Sequence, residues 1–532
     1  AAEHHGGGMV FVDIMTQPGM GPLRGSMDFT FRDESLNARN PLSPHRGAER
    51  QHNGGFSLSG TLWKDRTSFS LTTNASNAYD SKTVRAALPS TTLFENVKRP
   101  NDRTNFSARV DHALTKSHTL RGSYQRSDSD SANLGIGDVD LPERGFARIT
   151  SEDLLRLSLA GPVGRTLYAE SRLQVRHQEN ESTSASDAPA ILVLDAFNSG
   201  GAQISGGRKS TDVEFALDVD YAKGRHSARA GLLVEGGRYR SDESRNAGGT
   251  FTFASLDAFA AGRPTTFTQR SGNPLVEFTH AQAGWYAQDD IRVSKALSLS
   301  VGVRQELQTH TRDWWNVAPR VGATWSPFKT GSTTFRASAG IFYDWYEPQA
   351  YEQTLRVDGT RQVETVVRNP GYPDPFVGGS VIVLPSGRIV QADDLRQPTT
   401  ARVNASMERV LGTFGRLNVG YFYSRGRQQL RGRNINAPGE NGERPDPTAG
   451  IVTQVESTAR SEGQMLHAGL NFNLPWHRTM LFVNYTFGGI MNDSDGPFSL
   501  PADNANLAAE WGPSPYDVRH RVSGMFNMDL WK

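Results

Sequence analysis

Residues 297–308 read LSLSVGVRQELQ. Leu297, Leu299, Val301, Val303 and Leu307 share one parity, and Ser298, Ser300, Gly302, Arg304, Glu306 and Gln308 share the other. Side chains alternate across a strand, so the stretch is a strand with one apolar and one polar face. A small soluble sheet gives the same pattern. What separates the two is how long such strands are, how many there are and what joins them.

The alternation recurs. VAPRVGATWSP sets Val317, Val321, Ala323 and Trp325 against Arg320, Gly322, Thr324 and Ser326, and TFRASAGIFYDW sets Phe335, Ala337, Ala339, Ile341, Tyr343 and Trp345 against Arg336, Ser338, Gly340 and Asp344. GRLNVGYFYSR, VEFALDVDY (213–221), LYAESRLQVR (167–176), MLHAGLNFNL (465–474) and VRHRVSGMFNMDL (518–530) behave likewise. Many of these runs are longer than the ~5–6 residues of soluble strands and match the ~9–11 that a tilted strand needs to cross a bilayer. Trp285, Trp325, Tyr343, Trp345, Tyr421 and Tyr423 lie near strand ends on the apolar parity, where aromatic girdles are expected.

Connections sort by length. Short turns are expected at Lys64 to Asp65 and at 113–117, 161–164, 222–224, 294–295, 328–331, 411–414 and 475–477. Long links are expected at 34–54, 75–102, 127–149, 178–208, 240–278, 309–315, 346–398, 428–462 and 488–515, alternating with the short ones. Tight periplasmic turns and long extracellular loops give an outer-membrane barrel this sidedness. A sandwich has no reason to sort its loops so, and the ~40-residue repeat of a propeller is absent. The fold class is therefore all-β, a transmembrane antiparallel barrel of about 18 strands beginning with LRGSMDFTFRD at 23–33. In LSLSVGVRQELQ the leucines and valines face lipid, and Arg304, Glu306 and Gln308 face a wet lumen.

The totals agree. Lys+Arg number 57 against 56 Asp+Glu, so no basic field points to nucleic acid. With 53 Gly, 27 Pro and no Cys, the chain is rich in turn formers and has neither a disulfide scaffold nor thiolate metal ligands. Mean hydropathy is −0.52, and no apolar run reaches the ~18 residues of a spanning helix. A barrel escapes that test because only alternate residues meet lipid. AAEHHGGGMV has neither the charged region nor the apolar core of a signal peptide, so the start reads as a mature or truncated end.

GGGMVFVDIMTQPGMGPLRGSMDFTFRDESLNARN, ahead of and through the first strand, resembles the passage from plug to barrel in TonB-dependent outer-membrane receptors, especially the Oar-like group with a carboxypeptidase-regulatory-like N-terminal domain. Gly6 to Gly8, Val12 to Thr16, Pro18, Gly19, Gly25, Ser26, Arg32 and Leu36 to Asn40 carry the likeness, with MTQPGMGPL as a departure. HNGGFSLSGTLWKDRTSFSL, WNVAPRVGATWSP and DGPFSLPADNANLAAEWGPSPYDVRHRVSG resemble later segments of that family in the same order. The resemblance implies residues 1–22 as the end of a plug and its junction, and 23–532 as a barrel of about 22 strands in the full protein. It further implies outer-membrane lipid around the barrel and TonB as a partner, contacted through a segment before Ala1. About four strands are expected after Lys532.

Catalytic motifs are missing: there is no G-x-S-x-G, H-E-x-x-H or P-loop pattern. GGAQISGGR (200–208) lies in a long loop, whereas a phosphate cradle needs a strand before it and a helix after it. His4 and His5 form a solvated pair that makes no metal site by itself. Asp128, Asp130, Asp138 and Asp140, and Asp493 and Asp495, offer hard oxygen ligands suited to calcium, but the EF-hand spacing is lacking and a solvated loop is the favoured reading. No other cofactor is expected. Arg304, Arg320, Arg336, Asp344, Arg519 and Arg521 fall on the lumen parity, to bind an anionic substrate or to pair with carboxylates on the wall or plug. Tyr346, Tyr351, Tyr372 and Phe376 in the 346–398 loop are candidates for a stacking rim for substrate, for a partner's contact surface, or for an ordered cap with no ligand. Three functions fit: energised uptake of a bulky substrate through a plugged barrel, a plug-less passive pore, and a structural or adhesive surface barrel with extracellular or periplasmic protein partners. None is an enzyme.

Overall fold

A computed structural model describes residues 21–38, 47–383, 387–439, 441–474 and 478–529. Of the expected plug junction at 1–22 only Gly21 and Pro22 are among them; His4, His5 and the 475–477 turn lie outside the described residues.

Eighteen strands form one antiparallel meander: β1 (Arg24–Asp33), β2 (Arg50–Trp63), β3 (Thr67–Ala87), β4 (Thr92–Ala113), β5 (Thr119–Leu134), β6 (Phe146–Val163), β7 (Leu167–Ser184), β8 (Ile204–Lys223), β9 (His226–Ser241), β10 (Val276–Arg292), β11 (Leu297–Gln308), β12 (Asn316–Trp325), β13 (Thr333–Tyr343), β14 (Thr399–Leu411), β15 (Gly415–Asn434), β16 (Val452–Leu474), β17 (Thr479–Asn492) and β18 (His520–Asn527). The sheet they share has 21 strands, the other three being loop pieces of two to four residues. Each strand pairs with the next in sequence. Among the described residues β1 pairs on one edge with β2, and β18 on one edge with β17.

The burial pattern is inside-out relative to a soluble sheet. On β11, Leu299 and Val301 are 38% and 53% exposed, whereas Arg304 and Glu306 are each 1% exposed. Leu155, Leu157 and Leu159 on β6 and Val213, Phe215 and Leu217 on β8 extend the exposed apolar band. Apolar side chains outward and polar ones inward is the arrangement that lipid outside and a polar interior select. Trp325 and Phe335 add an outward aromatic pair with centroids 5.7 Å apart.

The turns at one end are tight. Gly224, with φ +63°, is the first residue of the two-residue β8–β9 link, the position that a type II′ hairpin reserves for glycine. One expected long link is not a loop. Residues 75–102 continue the β3–β4 ladder from Thr67↔His112 to Ala87↔Thr92, leaving only 88–91 as a connection. Polar residues on both faces erase the hydrophobic alternation there, yet backbone pairing needs no apolar face once the strands leave the membrane. The 22 residues of β4 extend over ~70 Å at ~3.3 Å per residue, against a hydrocarbon core of ~30 Å, so the hairpin projects far beyond the bilayer. Parts of the expected links 127–149, 178–208 and 428–462 are likewise strand.

The long loops build a structure of their own. Ala190–Val193, Phe197–Ser199, Thr250–Phe253, Thr266–Gly272, Gln362–Arg368 and Ser380–Val383 form a second, six-stranded sheet. Its hydrophobic core contains Val193, Phe197, Phe251, Phe253, Phe267 and Val367, joined by Val84 and Ala86 from the projecting β3 and by Ile136. Backbone bonds from Arg85 to Asp138 (2.6 Å) and from Ala87 to Ala196 (3.2 Å) tie the hairpin into this cap.

Candidate functional site in the barrel lumen

The root of the 344–398 loop is fastened to the lumen wall. β11 supplies Arg304, Glu306 and Gln308, alternate residues of one face and all buried. The Trp345 indole donates to Glu306 at 3.0 Å, and Glu306 also takes the Arg304 guanidinium in a fully buried ion pair. Gln308 binds the Tyr346 backbone twice, donating to its carbonyl at 2.6 Å and accepting from its N–H at 2.8 Å. Gln397, at the far end of the loop, donates to Gln308 at 3.1 Å and accepts from Asn316 at 2.7 Å. Both ends of the loop thus converge on one buried polar patch. Trp345 is a correction to the expected girdle: β13 ends at Tyr343, so strand parity no longer governs the side chain, which turns inward.

Helix α1 (Pro348–Arg356) carries the loop across the wall. Glu352, 2% exposed, is held by Arg208 of β8 at 2.9 Å and by Arg356 one turn later at 2.6 Å. Arg356 also reaches Ser241 Oγ at 2.6 Å. Tyr351 stacks on His310 with centroids 3.7 Å apart.

Beside this root lies a cavity of about 360 Å³ lined by Glu235, Tyr239, His280, Gln282 and residues 344–348. Asp212, Glu235 and His280 bring one carboxylate or imidazole atom each within 4.8 Å of one another. Register assembles them: Asp212 opposes Gly237 across β8–β9, Gly237 opposes His280 across β9–β10, and Glu235 is two residues from Gly237 on the same face. Sequence reading did not single out this trio. Parity in TDVEFALDVDY places Asp212 on a polar face with Glu214, Asp218 and Asp220, but which residues meet across three strands depends on registers that no single strand encodes.

The residues expected from sequence are dispersed. Arg304 is paired with Glu306, and Arg320, 8% exposed, lies 4.2 Å over the inward ring of Phe342. The face expected to be wet is therefore packed, because the loop root covers it. Arg336 pairs with Glu408 at 3.2 Å, Asp344 lines the cavity, and Arg519 pairs with Asp517 at 2.8 Å while Arg521 is exposed on β18. Tyr346 is buried and Tyr351 packs against its cluster, but Tyr372 packs edge-on against Phe251 and Phe253 of the cap and Phe376 against Phe267. These four aromatics belong to two separate clusters. Asp128 and Asp130 lie on β5, where Asp128 is paired with Arg126 at 2.8 Å. Asp493 lies between Arg431 at 2.6 Å and Arg460 at 3.2 Å, and Asp495 accepts from Asn492. Asp128, Asp493 and Asp495 are thus engaged by cations or an amide, Asp130 is exposed, and the four lie in two places.

Comparison with known proteins agrees with this architecture. Residues 70–313 and 308–530 match a family model described as outer membrane beta barrel domain. Among curated proteins, none matches in sequence. The fold resembles the outer membrane transporter YddB from Escherichia coli (11% identity, TM-score 0.65, covering 90% of this chain and 62% of that one). It also resembles the siderophore receptor PirA from Acinetobacter baumannii (12%, 0.57, 96% and 74%) and a mutant of the ferric enterobactin receptor PfeA from Pseudomonas aeruginosa (14%, 0.56, 90% and 66%). The chain spans 62% and 66% of the length of YddB and of that PfeA mutant. These are transporters and receptors, not enzymes, and their setting is the bacterial outer membrane. On the match over most of its length, the chain belongs to the outer membrane beta barrel domain family.

Proposed function

We propose that this barrel belongs to a TonB-dependent receptor of the Oar-like group, which takes up or handles a bulky substrate through a plugged lumen. The observation that carries this reading is the folded-in 344–398 loop, bolted at both ends to the buried patch around Gln308. Loops that occupy the lumen and roof it with a packed cap suit gated passage better than free diffusion. The likeness to a siderophore receptor and to a transporter supports the same class. In this reading substrate is met first by the cap and the lumen cavity, and TonB, acting on a plug, opens the path.

The test is single-channel recording of the full-length native protein in planar bilayers. A plugged receptor stays closed until a denaturant loosens its plug, and crosslinks to TonB in membranes. Steady conductance without denaturant, and no TonB crosslink, would establish the passive pore instead.

A further inference from the structure

We propose that Asp212, Glu235 and His280 form a binding site for a divalent transition-metal ion on the lumen wall. Three independent features converge there. His280 is 4% exposed, and its Nδ1 is buried without a hydrogen-bond partner. A polar nitrogen buried in that way is costly unless something binds it. The imidazole lies beside Gly237, where an added Cβ would stand 2.2 Å from Asp212 Oδ1, 2.7 Å from His280 Cε1 and 3.1 Å from His280 Nδ1. Glycine at this point lets the Asp212 carboxylate and the His280 ring close in over the backbone, where any side chain would push them apart.

The carboxylates are oriented by neutral donors rather than neutralised. Tyr239 donates to Asp212 Oδ1 at 2.9 Å, Ser210 to Oδ2 at 3.3 Å, and Gln282 to Glu235 Oε2 at 2.9 Å. Such outer partners fix ligand geometry around metals. No arginine or lysine lies within ion-pair distance of Asp212 or Glu235 among the described residues, in a wall where Arg172 reaches Asp218 and Arg229 reaches Asp220 on the same strand as Asp212. Two anionic oxygens and one imidazole nitrogen suit zinc-like cations. Calcium and magnesium prefer six or more oxygens. The ligand atoms lie within 4.8 Å of one another, and modest side-chain rotation brings them to the ~3.4 Å spacing that bonds of ~2.1 Å require. The cavity beside them leaves room for a fourth ligand from solvent or cargo. The site does not depend on how the barrel is energised.

The experiment is calorimetric titration of Zn²⁺, with Ca²⁺ as the control, into chelator-stripped full-length protein in detergent. One Zn²⁺ site is expected that weakens at least ~10-fold in both His280→Gln and Gly237→Ala, with the barrel still running as a folded band on unheated gels. The glycine variant keeps every ligand residue but its methyl group displaces the Asp212 carboxylate and the His280 ring, so its loss of affinity reports the geometry of the cradle. Zinc affinity unchanged in both variants overturns the proposal, as does no zinc binding in the wild type. Should the variants fail to fold, zinc-edge X-ray absorption of the loaded wild-type protein decides: one imidazole among nitrogen and oxygen ligands supports the site, and a shell without imidazole refutes it.

Discussion

Trp345 and Glu306 meet at 3.0 Å, indole N–H to carboxylate, and through that bond a loop residue and a barrel strand share one buried negative charge. The same carboxylate balances Arg304, so loop docking and charge balance in the wall rest on one side chain. A position on the lumen face of β11 therefore affects the geometry of the extracellular loops.

Glu306→Ala strands the Arg304 charge in a site that is 1% exposed. Removing one partner of a buried pair costs about 3–5 kcal/mol, whereas replacing both by apolar residues is often neutral. Glu306→Ala is thus expected to lower the urea midpoint of the folded barrel clearly, and Arg304→Met with Glu306→Leu to restore most of it. Equal losses in the single and double variants would mean that packing, not charge, governs the patch.

Phe253 is 0% exposed in the core of the six-stranded cap and contacts Phe259 and Tyr372 at 5.2 and 5.5 Å. Phe253→Ala is expected to cost the cap about 3–5 kcal/mol while leaving the membrane-spanning barrel intact, since Val84 and Ala86, the β3 residues in that core, lie at the projecting end of the strand. Surface proteolysis of intact cells should cleave the cap faster, with the folded barrel band unchanged. A parallel loss of the barrel would show that cap and barrel fold as one unit.

Asp493 joins Arg431 and Arg460 across the extracellular ends of β15 and β16. With Arg431 2% and Asp493 6% exposed by side chain, Asp493→Ala leaves a buried guanidinium uncompensated and should destabilise by about 3 kcal/mol or more. Arg460, 55% exposed, is screened by solvent, so Arg460→Ala is expected to change stability little. Urea titration of the two variants checks the contrast.

The barrel was legible because lipid imposes a strict rule on every second residue: Leu299, Val301, Val317 and Val321 face outward as their parity predicts. Legibility stopped where lipid stops. Above the membrane the strands of 75–102 keep their backbone pairing without a lipid-facing stripe, and Trp345 turns inward once β13 has ended. The lumen trio was hidden for another reason: Asp212, Glu235 and His280 belong to three strands, and their meeting is a property of registers. Arg304 and Arg320 were placed on the correct face, but the loop that covers them is set by contacts some 40 to 90 positions away in sequence, such as Gln308 with Tyr346 and Gln397.

His310, in the link after β11, gives the docked loop a pH dependence. Burial pushes its imidazole below the ordinary value of 6.5, with neighbouring His280 acting the same way and the Thr279 carbonyl opposing. That carbonyl lies 2.8 Å from Nε2, and Tyr351 of α1 stacks on the ring. Because the docked state holds the proton less tightly than the undocked one, docking is unaffected at high pH and weakens as pH falls through about 6.5. Proteolysis of the 344–398 loop is therefore expected to accelerate between pH 7.5 and 5.5, roughly the range over which histidine titrates. His310 has φ +67°, a conformation that asparagine tolerates, so His310→Asn should remove the acceleration without straining the backbone. An equally steep pH response in that variant would assign the effect to another group.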